Sequence, residues 1–254
     1  MIVKQLHVFF NALAFFTRIP SPKWVVFSKE YRQKSIAYFS FVGIIVGGFA
    51  ALVFFGANYI LPTSVAILLS MVGSIYLTGA FHEDGFADVC DGFGGGWNKE
   101  KILLIMKDSQ IGAFGAIGLC LLLGLKFASL YEVQSEFIPI VLISGHAVSR
   151  FMAALLVYQL PYVSSSETSK SKDRASRMSN KALVVNIICG IAPLFFFESY
   201  FVFLCLIPPL LGMWFLASKF KKWIGGQTGD CAGATQQFCE VVFYMSLLVL
   251  WKFI

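Results

Sequence analysis

Apolar runs long enough to cross a bilayer recur along this chain, at residues 36–60, 62–81, 111–131, 137–160, 182–197, 199–218 and 237–254. A hydrocarbon core about 30 Å thick takes a helix of about 20 apolar residues, and within it every backbone N–H and C=O needs an internal partner. Only helices and closed barrels meet that condition, and barrel strands alternate apolar with polar residues. These runs are continuously apolar. The expected fold class is therefore all-α, a polytopic integral membrane bundle of about seven transmembrane helices, forming one domain over residues 1–254. The run at 182–197 is short, and Pro208-Pro209 should kink or break the run at 199–218. Composition agrees, with 57% hydrophobic and 13% charged residues, against about 25% charged in soluble domains. The mean hydropathy is +0.75.

The basic residues set an orientation. Lys4, Arg18, Lys23, Lys29, Arg32 and Lys34 precede the first run, and Lys99, Lys101 and Lys107 follow the second. Lys170, Lys172, Arg174, Arg177 and Lys181 lie between the fourth and fifth, and Lys219, Lys221 and Lys222 between the sixth and seventh. The loops around 61–62, 132–136 and 198 hold no Lys or Arg. The positive-inside rule then predicts a multi-pass protein of the cell inner membrane, with its N-terminus, long loops and active site facing the cytoplasm. Seven spans would leave the C-terminus outside. Most of the net charge of +6 lies beside the membrane, where anionic membrane lipid attracts it, so no nucleic acid is needed to explain it. It also suits a phosphate-bearing substrate. Six cysteines without a C-x-x-C pairing imply a reduced chain. Residues 4–17 should form a short interfacial or partly inserted helix ended by Pro20 and Pro22, and 163–180 a mobile cytoplasmic loop.

Between the second and third runs the chain reads His82-Glu83-Asp84-Gly85-Phe86-Ala87-Asp88-Val89-Cys90-Asp91-Gly92, with Gly94-Gly95-Gly96 after it. Asp84, Asp88 and Asp91 are spaced i, i+4, i+7 and share one face of a helix. Their repulsion is relieved by a divalent metal, by Lys or Arg, or by partial protonation. A solvated acidic loop at the membrane surface is the plainer reading. The neighbouring polar clusters favour Mg²⁺ on Asp84, Asp88 and Asp91, with Glu83 or Asp108 joining them. Gly92 and the glycines beyond it could approach a phosphate closely.

Three further clusters lie at the same membrane face. Lys107, Asp108 and Ser109 open the third run, where Lys107 could meet a phosphate and Asp108 a metal. Gly225-Gly226-Gln227-Thr228-Gly229-Asp230, then Gln236, Gln237 and Glu240, lead into the last run. Thr17-Arg18-Ile19-Pro20 is the remaining cluster. Arg150 sits inside the fourth run, where insertion costs roughly 2.5–3.5 kcal/mol. It either snorkels to the cytoplasmic end or faces the bundle interior, opposite a carboxylate or a substrate phosphate. His82 and Cys90 lack a second Cys/His pair, which disfavours zinc, and His146 reads as a packed histidine. Clustered Asp with Arg, Lys and Gly suits an enzyme moving a phosphate-linked group. A transporter would instead place ionisable groups at the bilayer midplane and often show an internal repeat. With the acids at one face and no repeat, the enzyme is favoured.

At these residues the chain resembles the cobalamin synthase family, the adenosylcobinamide-GDP ribazoletransferases. The family pattern G-x-x-H-x-D-G-x-A-D-x-x-D-G matches Gly79 through Gly92. I-M-K-D-S-x-I-G-x-x-G matches Ile105 through Gly115, and T-G-D-x-x-G-A-x-x-Q matches Thr228 through Gln237. F-x-T-R-x-P matches Phe15 through Pro20, and an S-R pair matches Ser149-Arg150. Where the family has Thr-Ala before the third Asp, this chain has Val89-Cys90.

The resemblance implies the last assembly step of vitamin B12 synthesis, a phosphotransferase reaction. Adenosylcobinamide-GDP would be joined to α-ribazole or its 5′-phosphate, releasing GMP, with Mg²⁺ as cofactor. Other enzymes that assemble the nucleotide loop would be its prospective partners. It implies Asp84, Asp88, Asp91, Lys107 and Asp108 as catalytic residues, and Glu83, Asp84, Asp88 and Asp91 as metal ligands. Arg18, Arg150, Gly92, Ser109, Gly229, Asp230 and Gln236 would bind substrate. Another Mg²⁺-dependent membrane enzyme, of the CDP-alcohol phosphotransferase type, is the alternative, although its longer D-G-x-x-A-R…G…D-x-x-x-D spacing is absent.

Overall fold

In a computed structural model of the chain, residues 2–163 and 178–253 are described. Lys170, Lys172, Arg174 and Arg177, and most of the loop expected at 163–180, lie outside the described residues. The described residues form the helices α1 (Ile2–Phe16), α2 (Lys29–Lys34), α3 (Phe39–Asn58), α4 (Thr63–Thr78), α5 (Phe81–Gly95) and α6 (Lys99–Ile105). They continue with α7 (Ala113–Tyr131), α8 (Ile138–Gln159), α9 (Asn180–Ile191), α10 (Ile207–Ile224) and α11 (Gly229–Trp251). Short 3₁₀ segments join some of them, and among the described residues the one β feature is an isolated bridge between Tyr162 and Gln227. The fold is all-α.

Among the described residues, five segments are long and apolar enough to cross a membrane: Lys29–Asn58, Ala113–Tyr131, Ile138–Gln159, Tyr200–Ile224 and Gly229–Phe253. A sixth is counted if α4 and α5, bent by 88° at their junction, form one broken span. By length alone the expected seven become five or six, through two runs, while the first of these still reaches from Tyr158 at one end of α8 to Phe137 at the other. The run at 182–197 yields only the short helix α9 and a 3₁₀ turn that contains Pro193. The run at 62–81 stops at Thr78, where Gly79 (φ 68°) and Ala80 (φ 58°) are both left-handed. Glycine takes that conformation without strain, but for Ala80 it costs about 1–2 kcal/mol. Pro208 and Pro209 do not break their run. They occupy the first turn of α10, where a missing N–H is harmless.

The most enclosed span is α8. Its neighbours reach it through glycines, which let helix backbones approach where a Cβ would collide. A Cβ at Gly43 or Gly47 of α3 would strike the α8 backbone at His146 or Ile143, and one at Gly145 of α8 would strike the Tyr244 ring of α11. At the start of α3, the buried amide of Asn186 on α9 accepts from Ser40 N at 3.0 Å and donates to the Ile36 carbonyl at 2.9 Å. Large apolar side chains cover the outer faces, among them Leu52, Phe55, Ile117, Leu121, Leu211 and Val249. So much exposed apolar surface is stable only against lipid.

Candidate active site at the mouth of the bundle

The left-handed pair Gly79-Ala80 swings α5 away from α4, so that α5 lies against the first turns of α11. Arg18 braces this corner. Its guanidinium stands 5.2 Å from the Tyr76 ring centroid, and a Cβ on Gly79 would come within 3.0 Å of its Nε. Gly85 permits the approach of α5 to α11, since a Cβ there would lie 2.9 Å from the Asp230 Cα. Asp230 thereby joins the α5 carboxylates. Asp88 is repelled by Asp84, Asp230 and Asp91, and Asp230 by Asp84. Asp84 is exposed, whereas Asp88 and Asp230 are half-buried. The Thr228 hydroxyl accepts from Cys231 N at 3.2 Å and donates to Asp230 Oδ2 at 3.3 Å. It thus caps α11 and orients the new acid.

Asp91 shares the α5 face but has other work. Its Oδ2 accepts from Gly112 N at 2.7 Å and its Oδ1 from Gly115 N at 2.8 Å. Gly112, the N-cap of α7, has no side chain with which to satisfy those donors. The carboxylate therefore caps α7 from a neighbouring helix and complements its dipole. A Cβ at Gly112 or Gly115 would collide with the Asp91 carboxylate, which accounts for both glycines.

Glu83 points inward, 7% exposed, and accepts from Gln237 Nε2 at 2.7 Å. Gly92 is buried under Met106, with no room for a Cβ, so its glycine is required by packing. Lys107, Asp108 and Ser109 lie exposed in the loop between α6 and α7, where Asp108 Oδ1 accepts from Gln110 N at 3.1 Å. Gly229 is exposed at the first turn of α11, with open space around its Cα.

Gln236 and Arg150 are not at the mouth. Gln236 is fully buried and donates to Glu240 Oε2 at 2.5 Å and to Ser149 Oγ at 3.0 Å. Arg150, 1% exposed, donates to its own helix at the His146 carbonyl, 3.1 Å, and lies 5.7 Å from the Phe39 ring centroid. Its snorkelling is excluded by that burial, and its facing charges are Glu240 and Glu83.

Both belong to a buried polar seam that the sequence reading largely missed. Glu240, 0% exposed, pairs with Lys126 Nζ at 2.5 Å and lies 3.3 Å from His146 Nδ1. It also accepts from Tyr244 OH at 3.0 Å. Lys126 and Glu240 lie thirteen and eleven residues into α7 and α11, so about 20 and 16 Å from the mouth. That is near the middle of a core about 30 Å thick. Arg150 is therefore not the only deep cation, and the absence of midplane charge no longer counts against a transporter. A lone Lys in an apolar run was the signal available. His82 Nδ1 and Nε2, His146 Nε2, Arg150 Nε and Gln236 Oε1 are buried without a hydrogen-bond partner in the protein. Such a polar pocket suits internal water.

Among the described residues, no three His, Cys, Asp or Glu side chains converge into a ready-made metal cage. Mg²⁺ does not require one, because it commonly keeps several waters and takes one or two carboxylates together with substrate phosphate. One or two of Asp84, Asp88 and Asp230, whose repulsion a cation would relieve, fit that mode.

The model of the cobalamin-5-phosphate synthase family matches residues 8–248. A protein of Shewanella frigidimarina described as adenosylcobinamide-GDP ribazoletransferase is 44% identical over 252 residues, covering 98% of this chain and 96% of that relative. Relatives of the same description from Shewanella oneidensis and Shewanella pealeana are each 42% identical, covering 97% of this chain and 95% and 96% of their own lengths. No solved structure matches the chain.

Proposed function

The chain belongs to the cobalamin-5-phosphate synthase family, and from that premise we propose that it transfers the cobinamide phosphate of adenosylcobinamide-GDP to α-ribazole or α-ribazole 5′-phosphate. A ribose hydroxyl of the acceptor attacks the phosphorus attached to cobinamide. The bond from that phosphorus to the bridging oxygen breaks, the oxygen leaves with GMP, and the hydroxyl proton is given up. The observation that carries this reading is the grouping, at one mouth, of motif residues from three distant stretches: Asp84 and Asp88, Lys107 to Ser109, and Gly229 and Asp230.

The residues divide the work by position. One or two of Asp84, Asp88 and Asp230 would hold Mg²⁺, together with water and substrate phosphate. When bound, the ion offsets negative charge developing on the phosphoryl oxygens and the leaving group. Arg18 and Lys107, both exposed at this end, supply positive charge for the diphosphate. The first turn of α11, with Gly229 uncrowded, offers backbone N–H groups to a phosphate oxygen. Arg150 and Gln236, enclosed in the seam, hold the helices beneath the site.

Proteoliposomes given adenosylcobinamide-GDP, α-ribazole and Mg²⁺ are expected to release GMP in equal amount to the cobamide formed. Release of CMP from a CDP-alcohol, with no GMP from this donor, would assign the chain to the alternative chemistry.

We also propose that the mouth faces the cytoplasm. Lys99, Lys101 and Lys107 stand at this end, whereas residues 132–136, beyond the other end of α7, hold no Lys or Arg. Gln110 and Ser135 are exposed at opposite ends of α7. A membrane-impermeant thiol reagent added to intact cells should label Ser135→Cys and spare Gln110→Cys, and the reverse pattern would overturn the orientation.

A further inference from the structure

Away from the mouth residues, α1, α2 and α9 enclose a cavity of about 460 Å³ whose rim carries Lys4, Lys34 and Lys181 against one acid, Glu30. Glu30 Oε1 receives Lys34 Nζ at 2.6 Å and Lys4 Nζ at 3.1 Å, which fixes two of the ammonium groups beside each other. The floor is apolar, formed by Val8, Ile36, Ala37 and Val185. A second, almost wholly apolar groove of about 400 Å³ runs alongside, lined by Ile2, Leu6, Phe9 and Phe41. Gln5 and Tyr38 line both. They form the shared wall, with Tyr38 OH donating to Gln5 Oε1 at 2.9 Å.

The depth of the cavity follows from helix length. The segment Lys29–Asn58 is 30 residues long, about 45 Å as a helix, while the hydrocarbon core is about 30 Å thick. The charged residues all fall at its start, so that end must emerge at headgroup level and carry Glu30 and Lys34 with it. A cavity with three ammonium groups and one carboxylate has a net charge of +2, open to a single anion. The adjoining groove has no charge at all and its walls face lipid. One molecule satisfies both halves, having an anionic phosphate joined to an acyl chain.

We propose that these two concavities form a binding site for an anionic phospholipid, its phosphate between Lys4, Lys34 and Lys181 and one acyl chain along Ile2, Leu6, Phe9 and Phe41. The lipid would tie α1 to α2 and α9. The test is native mass spectrometry of the purified full chain released from detergent after incubation with phosphatidylglycerol or with phosphatidylcholine of the same chains. The wild-type protein should retain one phosphatidylglycerol under activation that strips phosphatidylcholine. Lys34→Ala and Lys181→Ala should each weaken retention about fivefold, with the double variant keeping its circular dichroism and elution volume. Leu6→Gln with Phe41→Gln should weaken long-chain phosphatidylglycerol while leaving a six-carbon-chain analogue unaffected. Equal retention of both lipids, unchanged retention in the lysine variants, or displacement by millimolar glycerol phosphate would each overturn the proposal. The last of these would show a site for free phosphate.

Discussion

Asp88→Asn is expected to lower the rate of GMP release by about two to three orders of magnitude, the range seen when a preorganised electrostatic group is removed from an active site. Asparagine keeps the shape of the side chain and removes its charge, so the loss reads the charge. Asp88 is the right position to probe because it interacts with three other carboxylates, Asp84, Asp230 and Asp91. The same variant should need more Mg²⁺ for half-maximal turnover, and Asp230→Asn should behave likewise. Asp91→Asn should behave differently. Its oxygens hold Gly112 N and Gly115 N, so it should lower the melting temperature through loss of the α7 cap, without the same change in Mg²⁺ requirement. If Asp88→Asn kept near wild-type turnover at limiting Mg²⁺, the carboxylates would be a solvated patch and the metal reading would fall.

That contrast between Asp88 and Asp91 marks what the sequence could and could not say. The i, i+4, i+7 spacing placed three acids on one face, and they do share it. Spacing along one helix could not show that the third would be taken by the start of α7, 21 residues onward, because that depends on how two helices cross. Asp230 carries the opposite lesson, since its approach to Asp84 runs through the close contact at Gly85, which no local pattern encodes. The helical membrane fold was legible because bilayer thickness and backbone hydrogen bonding leave few alternatives. Where each span starts and stops was less so. Gly79 lies within an apolar run, and hydropathy alone does not register that it and Ala80 turn the chain. Prolines misled in the other direction, since Pro208 and Pro209 start α10 rather than interrupt it. Lys126 was hidden by averaging, one charge in a helix otherwise apolar. For Arg150 the sequence left a carboxylate and a substrate phosphate as alternatives, and Glu240 and Glu83 are the acids that face it.

Removing either member of the Lys126–Glu240 pair is expected to destabilise the bundle more than removing both. Each is 1% exposed or less, and they are 2.5 Å apart near the membrane midplane. Breaking a buried pair strands a charge and costs about 3–5 kcal/mol, whereas replacing both members by neutral groups of similar volume is often close to neutral. Glu240→Gln should be the worse single change. It leaves Lys126 and Arg150 with Glu83 as the carboxylate on the opposing side, and it weakens the contacts with His146 and Tyr244. Lys126→Met leaves Glu240 with the Tyr244 hydroxyl, the Gln236 amide and His146 still beside it. The double variant Lys126→Met/Glu240→Gln removes one charge of each sign and leaves Arg150 facing Glu83. Thermal unfolding in nanodiscs should therefore order the proteins as wild type, double variant, Lys126→Met and Glu240→Gln, from most to least stable. A double variant as unstable as the two single losses added together would mean that Lys126 and Glu240 act independently. Turnover at saturating Mg²⁺ supplies a second comparison. If the seam acts only by holding α7, α8 and α11 together beneath the acidic mouth, the double variant should recover activity in step with stability. Recovered stability without recovered turnover would show that charge at the midplane contributes to the reaction itself.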